Sequence, residues 1–253
     1  MGQQVLVTLC QQSDMEPVGA VDIKAKEEYL PLPNSSGLIP FSRDVASLLV
    51  KAKPQVVVDF SHADAVMSLA RAAIPHKVNL VVGTTGIAQA QVDEIGRLCQ
   101  EHGVGAVVAP NFSLGAVVLA HLAKIAARHF DYADIIEMHH ERKADAPSGT
   151  ALAMARAMAA ARGRPFERVA TTKEVLAATR GGDAEGVAIH SVRMPGLLAH
   201  HEVILGGLGQ TLVLRHDTIS RESFMPGVML AIREVVNRKG LVYGLDTLLG
   251  LGA

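Results

Sequence analysis

The chain contains no tryptophan, and aromatic residues make up only 4% of its 253 positions. Proteins that bind single-stranded nucleic acid stack bases on aromatic platforms, and this chain has little to build one from. It also lacks a charge excess of either sign: 24 Lys and Arg stand against 25 Asp and Glu. Without a basic field there is no electrostatic footprint for nucleic acid. No apolar run approaches the roughly 20 residues needed to span a bilayer, and Lys and Arg interrupt the hydrophobic stretches. The opening MGQQVLVTLCQQSD has neither the basic start nor the apolar length of a secretion signal. Two distant cysteines, Cys10 and Cys99, have no metal-binding spacing and allow one disulfide at most. Together these shortages predict a cytoplasmic protein with no nucleic-acid or membrane partner and no metal.

What is present describes a globular chain, with 49% hydrophobic and 19% charged residues. Its length suits one large or two modest domains. The first half alternates short apolar runs with amphipathic stretches, the pattern of a parallel α/β sheet. Strands are predicted over Pro17–Asp22, Gln55–Phe60, Asn79–Gly83 and Gly105–Ala109, and helices over Val45–Ala52, Ala63–Ala73 and Ala88–Glu101. The strands are apolar throughout, as expected when helices cover both faces of a sheet. Ligands of such folds bind beyond the carboxyl ends of the strands. Those ends carry Asp22, Asp59-Phe60-Ser61, Gly83-Thr84-Thr85-Gly86 and Ala109-Pro110-Asn111-Phe112.

After a helix predicted over Ser113–Arg128 the pattern changes. Strands follow at Ile135–Glu141, Ala188–Arg193, Glu202–Gly206 and Thr211–His216, with a helix at Ala151–Arg162 and another at Ser223–Val236. The segment GGLGQ between two sheet-forming runs is a hairpin signal, and TRGGDAEG reads as a mobile loop. The expected organisation is a Rossmann-like, doubly wound parallel sheet over residues 1–112 and 221–253. An α+β mixed-sheet domain is expected to be inserted over 113–220.

The most informative stretch is Glu137 to Ala151, EMHHERKADAPSGTA. His139 and His140 exchange protons near neutral pH, and Lys143 is a compact cation suited to a carboxylate. Ser148-Gly149-Thr150 stands where a helix should begin, and helix N-termini bind anions through unpaired N–H groups. The combination describes a pocket for a small acidic substrate that is protonated during reaction. A strand places adjacent His139 and His140 on opposite faces unless it ends there, and Asp145-Ala146-Pro147 supplies such an ending. His200-His201 beside His139-His140 lacks i,i+4 spacing and a partner ligand, so zinc is not expected. A histidine-based metallohydrolase is the reading that metal analysis would test.

The string EMHHERKADAPSGTA resembles the signature of the 4-hydroxy-tetrahydrodipicolinate (dihydrodipicolinate) reductase family. Val57–Ser61, Val82–Gly86, Ala109–Ser113, His190–Arg193, His200–Val203 and Ser220-Arg221 recur in family order, so the resemblance covers nearly the whole chain. It implies NADH- or NADPH-dependent reduction of a small cyclic dicarboxylate in the diaminopimelate and lysine pathway, by a homotetramer assembled through its second-domain sheets. It further implies that His139 donates the proton to carbon and that Lys143 assists and holds a carboxylate. His140, Ser148, Gly149 and Thr150 would grip the other carboxylate. For the cofactor it implies Gly83, Thr84 and Thr85 near the nicotinamide ribose and Ala109, Pro110, Asn111 and Phe112 about the nicotinamide. Asp22 closes a strand where a carboxylate takes ribose hydroxyls, while Lys24 suits a 2′-phosphate; an acidic turn residue is the plainer alternative for Asp22. Arg221 caps the cofactor side of the hinge or forms a surface ion pair, and His200 and His201 are read as structural or interface residues.

In one respect the chain departs from the family pattern. The family begins with a strand and a Gly-rich turn, and Met1-Gly2 corresponds to the last two residues of that turn. The first strand and most pyrophosphate-binding glycines are therefore expected to be missing here, with weakened cofactor binding, and a cofactor-impaired relative is the second reading. Gly2–Gln12 is read as the following helix. Val5–Leu9 has strand propensity, but Cys10–Glu16 is too short for a parallel crossover.

Overall fold

Residues 2–9 are helical, which rules out the strand alternative for Val5–Leu9. A computed structural model describes residues 1–33 and 36–252. In chain order, helix α1 (Gly2–Leu9) leads to three short strands, β1 (Ala20–Val21), β2 (Tyr29–Pro31) and β3 (Leu38–Ser42). Then come α2 (Val45–Ala52), β4 (Val56–Asp59), α3 (Ala63–Ala73), β5 (Asn79–Val82), α4 (Gln89–His102) and β6 (Gly105–Val108). The middle of the chain supplies α5 (Leu114–Ala127), β7 (Tyr132–His139), α6 (Gly149–Arg162), β8 (Gly182–Ala184), β9 (Val187–Arg193), β10 (Ala199–Gly207) and β11 (Gln210–Thr218). The end supplies α7 (Met225–Val235), β12 (Gly240–Tyr243) and α8 (Leu245–Leu248). Two units result: Met1–Leu114 with Phe224–Ala253, and Gly115–Ser223.

The first unit is built on a parallel sheet of order β12-β6-β5-β4. Helices cover both faces, which is why its central strands are apolar throughout. On one side Leu80, Val82, Ala106 and Val108 pack with Val66, Met67 and Ala70 of α3 and Ile95 and Cys99 of α4. On the other, α7 lies against β5 and β6, with Val228, Ala231 and Val235 buried. Local signals set the helix ends: the Asp44 carboxylate accepts from the N–H groups of Ala46 and Ser47 to start α2, and Gly103 in the left-handed region ends α4. Among the described residues β4 pairs with β5 alone and so forms one edge of this sheet.

The strand expected over Pro17–Asp22 shortens to Ala20–Val21, since its one neighbour is β3 and Pro17 has no N–H to pair. Strands β2, β3 and β12 were not predicted. They are short: β2 and β3 pair with each other, and β12 pairs with the distant β6.

The second unit holds a mixed sheet of order β11-β10-β7-β9-β8. One face is the core: Ala133 and Ile135 of β7, Val203 and Leu205 of β10, and Val187 and Ile189 of β9 pack under α5 and α6. Strands β10 and β11 form a hairpin closed by Leu208-Gly209 within the expected GGLGQ segment, Gly207 pairing with Gln210. TRGGDAEG is not simply a loop: Gly182–Ala184 is β8, antiparallel to β9. Glu185 and Gly186 between them have φ of 58° and 81°, the two positive values that a tight hairpin turn needs.

The turn that ends at Phe112 depends on a glycine in α7. A Cβ on Gly227 would overlap the Phe112 carbonyl oxygen. Alanine ordinarily favours a helix interior over glycine by about 1 kcal/mol, yet overpacking costs about 1–3 kcal/mol. Gly227→Ala should therefore be net destabilising. A lowered urea midpoint, read by circular dichroism, is the expected outcome; a raised midpoint would mean that helix propensity outweighs the overlap.

Candidate functional site

In the second unit the apolar sheet face turns polar at one end. Strand register places Ser191, Glu137, His201 and His216 in one cross-strand row. His139, two residues beyond Glu137, faces the same way at the last position of β7. Glu137 is fully buried. Its Oε1 accepts from the Ser148 N–H at 3.0 Å and Arg193 Nη2 at 2.7 Å. Its Oε2 lies 2.6 Å from His139 Nδ1 and accepts from Arg193 Nη1 at 2.8 Å. Two carboxylate oxygens thus meet four donors in these bonds, to which the Ser191 hydroxyl adds, so no lone pair of the ionised carboxylate is left unmet. An ionised Glu137 has no proton to give, so His139 Nδ1 carries the hydrogen and Nε2 is the free nitrogen.

The electrostatics follow from this arrangement. Burial works against the charged form of Glu137, but hydrogen bonds from Arg193, Ser191 and His139 and from the Ser148 backbone outweigh it and hold its carboxyl at about 2. Burial lowers the proton affinity of His139; Glu137 opposes that effect, and the Lys143 and Arg193 cations add to it. The ring of His201 meets that of His139 edge-on, with centroids 5.4 Å apart. Burial, and next the nearby His139, push His201 down to about 4, so it is neutral at pH 7.

His140 lies just past the strand, where its Nδ1 accepts from the Arg142 N–H at 3.2 Å. In the neutral ring that leaves Nε2–H as a donor. Lys143 Nζ pairs with Asp145 at 2.7 Å. The Asp145 carboxyl is held below its ordinary value by Lys143 and, more weakly, by the backbone of Gly149. An exposed carboxylate therefore touches both the Lys143 ammonium and the first turn of α6. Ser148 is the N-cap: its Oγ accepts from the Ala151 N–H and lies 3.2 Å from His201 Nε2. Its N–H and hydroxyl are both engaged, so the groups of this turn left at the surface are those of Gly149 and Thr150. A cavity of about 550 Å³ is lined by His140, Arg142, Gly196, Leu198 and Arg221, among others.

The first unit gathers its candidate residues at the carboxyl ends of β4, β5 and β6. Asp59, buried at the end of β4, accepts from Thr84 Oγ1 at 2.6 Å and from the Ser61 N–H. The Thr84 side chain is thereby committed to the strand end, while Thr85 is exposed. Gly83 admits the Phe60 ring where a Cβ would stand, and Phe60 meets Phe112 edge-on at 5.7 Å. The Phe112 ring is 1% exposed and packs as core, against the expectation that it lines a ligand. Beside it Asn111 Oδ1 accepts from the Ser113 N–H, Ala109 is buried, and Pro110 is exposed. The Asp22 carboxylate accepts from the Lys24 N–H at 2.8 Å, as an acidic turn residue does. Buried Ser113 Oγ has no partner. The exposed Thr85 and the turns at these strand ends suit a polar ligand laid across them, where dinucleotides bind in such sheets. Among the described residues no group of three or more His, Cys, Asp or Glu is arranged to hold a metal ion.

Three residues of these clusters carried no expected role: Glu137, Arg193 and Asp59. For Glu137 a signal existed, since a carboxylate two positions before a histidine on a strand shares its face. Nothing local pointed to Arg193.

A doubly wound parallel sheet with polar turns at its strand ends, joined to a unit carrying a buried carboxylate–histidine pair, defines a nicotinamide-dependent oxidoreductase class. The comparisons narrow this. Residues 1–112 match the family model for the dihydrodipicolinate reductase N-terminus and residues 115–249 that for its C-terminus. Over 251 residues the chain is 54% identical to the 4-hydroxy-tetrahydrodipicolinate reductase of Dehalococcoides mccartyi, covering 99% of this chain and 95% of that one. It is 48% identical to the enzyme of the same name from Moorella thermoacetica, covering 98% and 94%. A dipicolinate-bound dihydrodipicolinate reductase from Paenisporosarcina sp. TG-14 superposes with a TM-score of 0.86 at 38% identity, over 97% of this chain and 94% of that one. The chain belongs to the dihydrodipicolinate reductase family.

The Glu137 carboxyl, held at about 2 against an ordinary 4.5, is depressed in the folded state. Its contribution to stability is thus present above about pH 4.5 and lost as pH falls toward 2. Glu137→Gln should flatten the dependence of the urea midpoint on pH across that window. Parallel curves for the native and variant proteins would show that the carboxyl titrates normally.

Proposed function

We propose that the chain reduces 4-hydroxy-tetrahydrodipicolinate to tetrahydrodipicolinate with NADH or NADPH, a step of lysine and diaminopimelate biosynthesis. The observation that carries this reading is His139, fixed at the end of β7 with Nε2 free, in a chain of this family. Met1–Leu114 with Phe224–Ala253 is assigned the dinucleotide and Gly115–Ser223 the dicarboxylate. When bound, the reduced nicotinamide supplies a hydride. Loss of water from the substrate gives a conjugated cyclic imine, and hydride addition leaves an enamine-like anion that needs a proton on carbon. The charged His139 gives that proton from Nε2. Lys143 holds one carboxylate, and the Gly149-Thr150 amides at the start of α6 with Nε2–H of His140 grip the other. Asp145, already on Lys143 and near Gly149, gives way to the substrate carboxylate. Thr85, with the backbones of Gly83 and Pro110-Asn111, is assigned the nicotinamide end, and Asp22 and Lys24 the adenosine ribose.

The mixed sheet supports self-association. Its face away from the helices carries Ile136, Met138 and Ile204 half-buried and Val213 50% exposed, beside the ion-paired Glu202 and Arg215, a partly apolar surface that association would cover. A homotetramer built on this face is the proposed assembly, and light scattering at micromolar concentration should report four copies; a monomer would reject it. Cys10 and Cys99 are both free, which supports a cytoplasmic setting, and no helix of the described residues is long and apolar enough to cross a membrane.

His139→Gln should lower kcat by about 10²–10⁴-fold while leaving KM near its native value. Lys143→Ala should raise KM and lower kcat together, because one cation serves carboxylate and growing charge alike. Full turnover by purified His139→Gln would remove His139 as the acid.

A further inference from the structure

The Glu137 network is unusual in its surroundings. The face it occupies continues into the core, with Ile135, Val203 and Leu205 on it fully buried. Burying a Glu–Arg pair there is weak evidence for stability, since apolar residues of similar volume fill such sites equally well. What the pair achieves is geometric. Arg193 on β9 clamps both oxygens and also donates to the Asp145 carbonyl at 2.6 Å, fixing the carboxylate to the sheet and to the loop after it. The Ser148 N–H fixes it to the start of α6. One lone-pair direction remains, and it meets His139 Nδ1.

We propose that Glu137 is the positioning residue of the reaction: its carboxylate holds His139 in the Nδ1–H tautomer, with Nε2 as the nitrogen that carries the transferable proton, and Arg193 holds Glu137 in place for that task. This rests on the reading of His139 as the acid. The groups facing the His139 ring are Glu137 from its own strand, Arg193 from β9, His201 from β10 and Lys143 from the loop after β7. Of these Glu137 is the one anion. It alone raises the proton affinity of His139 against burial and the two cations. A neutral His201 at its edge adds no repulsion when His139 is charged. Ser148 gains a second role, because the carboxylate that orients the acid also binds the N-cap of the helix assigned to the substrate.

The test compares Glu137→Gln, Arg193→Lys and His139→Gln for kcat, KM and the pH dependence of kcat, with the native protein examined by ¹⁵N nuclear magnetic resonance of its histidines. The amide of Glu137→Gln presents an N–H where Nδ1–H needs an acceptor, and loss of the correct tautomer beside a catalytic histidine has cost about 10⁴-fold in turnover elsewhere. The expected loss here is about 10²–10⁴-fold in kcat, with KM within about threefold. The alkaline limb of the kcat profile should move to lower pH, since the imidazolium loses its anion. Arg193→Lys, which keeps the charge but not the fork, should lose less. The native His139 signal, identified by its absence in His139→Gln, should report a protonated Nδ1 above the titration of the ring; an Nε2–H tautomer would overturn the proposal even if no Glu137 variant folds. Normal kcat and an unmoved alkaline limb in Glu137→Gln would also overturn it, while a crippled His139→Gln left the acid in place. Full turnover by His139→Gln would instead remove the acid itself.

Discussion

A fully buried charged carboxylate on the core face of a sheet is tolerable only when every lone pair is met. Glu137 is in that position, and its four donors come from three separate parts of the chain: its own strand, β9, and the start of α6. Leaving any one unmet would expose a buried charge to an apolar surround, at a cost of several kcal/mol. The loop between β7 and α6 is therefore placed from both ends. His139 precedes it, Ser148 ends it, and the arginine that satisfies Glu137 also holds the backbone of Asp145 between them.

The same loop explains how a short string of residues does several tasks. His140 spends Nδ1 on the Arg142 amide and keeps Nε2–H outward. Lys143 and the opening of α6 share one carboxylate, that of Asp145, so an anion of this chain already meets both the ammonium and the helix start. Ser148, by contrast, is inward and fully engaged. A residue can be indispensable to an anion site by capping the helix that forms it rather than by touching the anion.

In the parallel-sheet unit the constraint is space rather than charge. With few aromatics, Phe60 and Phe112 are set edge-on where β4 and β6 end, and glycines let the backbone close around them, Gly83 at the Phe60 ring and Gly227 at the Phe112 carbonyl. The Asp59–Thr84 bond then ties the ends of β4 and β5. The outcome is a firm rim of turns whose exposed groups include Ser61 and His62, Thr85 and Gly86, and Pro110.

Helix bounds over Val45–Ala52 and Ala63–Ala73 were legible to the residue, because apolar periodicity, and for the first an Asp cap, act within a few positions of themselves. The central parallel strands were legible for a similar reason: burial on both faces writes itself as a continuous apolar run. So was the EMHHERKADAPSGTA string, whose chemistry is a matter of residue types close together in the chain. Strands β2, β3, β8 and β12 were not, since each is a short segment that becomes a strand only by finding a neighbour. The same holds for the site. Composition placed two histidines and a lysine beside a helix start, but neither the tautomer of His139 nor the engagement of Ser148 is written there. The Glu137 carboxylate that meets His139 is itself held by Arg193, 56 positions away, and Ser148 Oγ is met by His201, 53 positions away. The sequence by itself determined what local sterics and patterned burial can encode. Tertiary structure alone decided which polar groups meet, because a buried hydrogen bond is specified by the register of strands far apart in the chain.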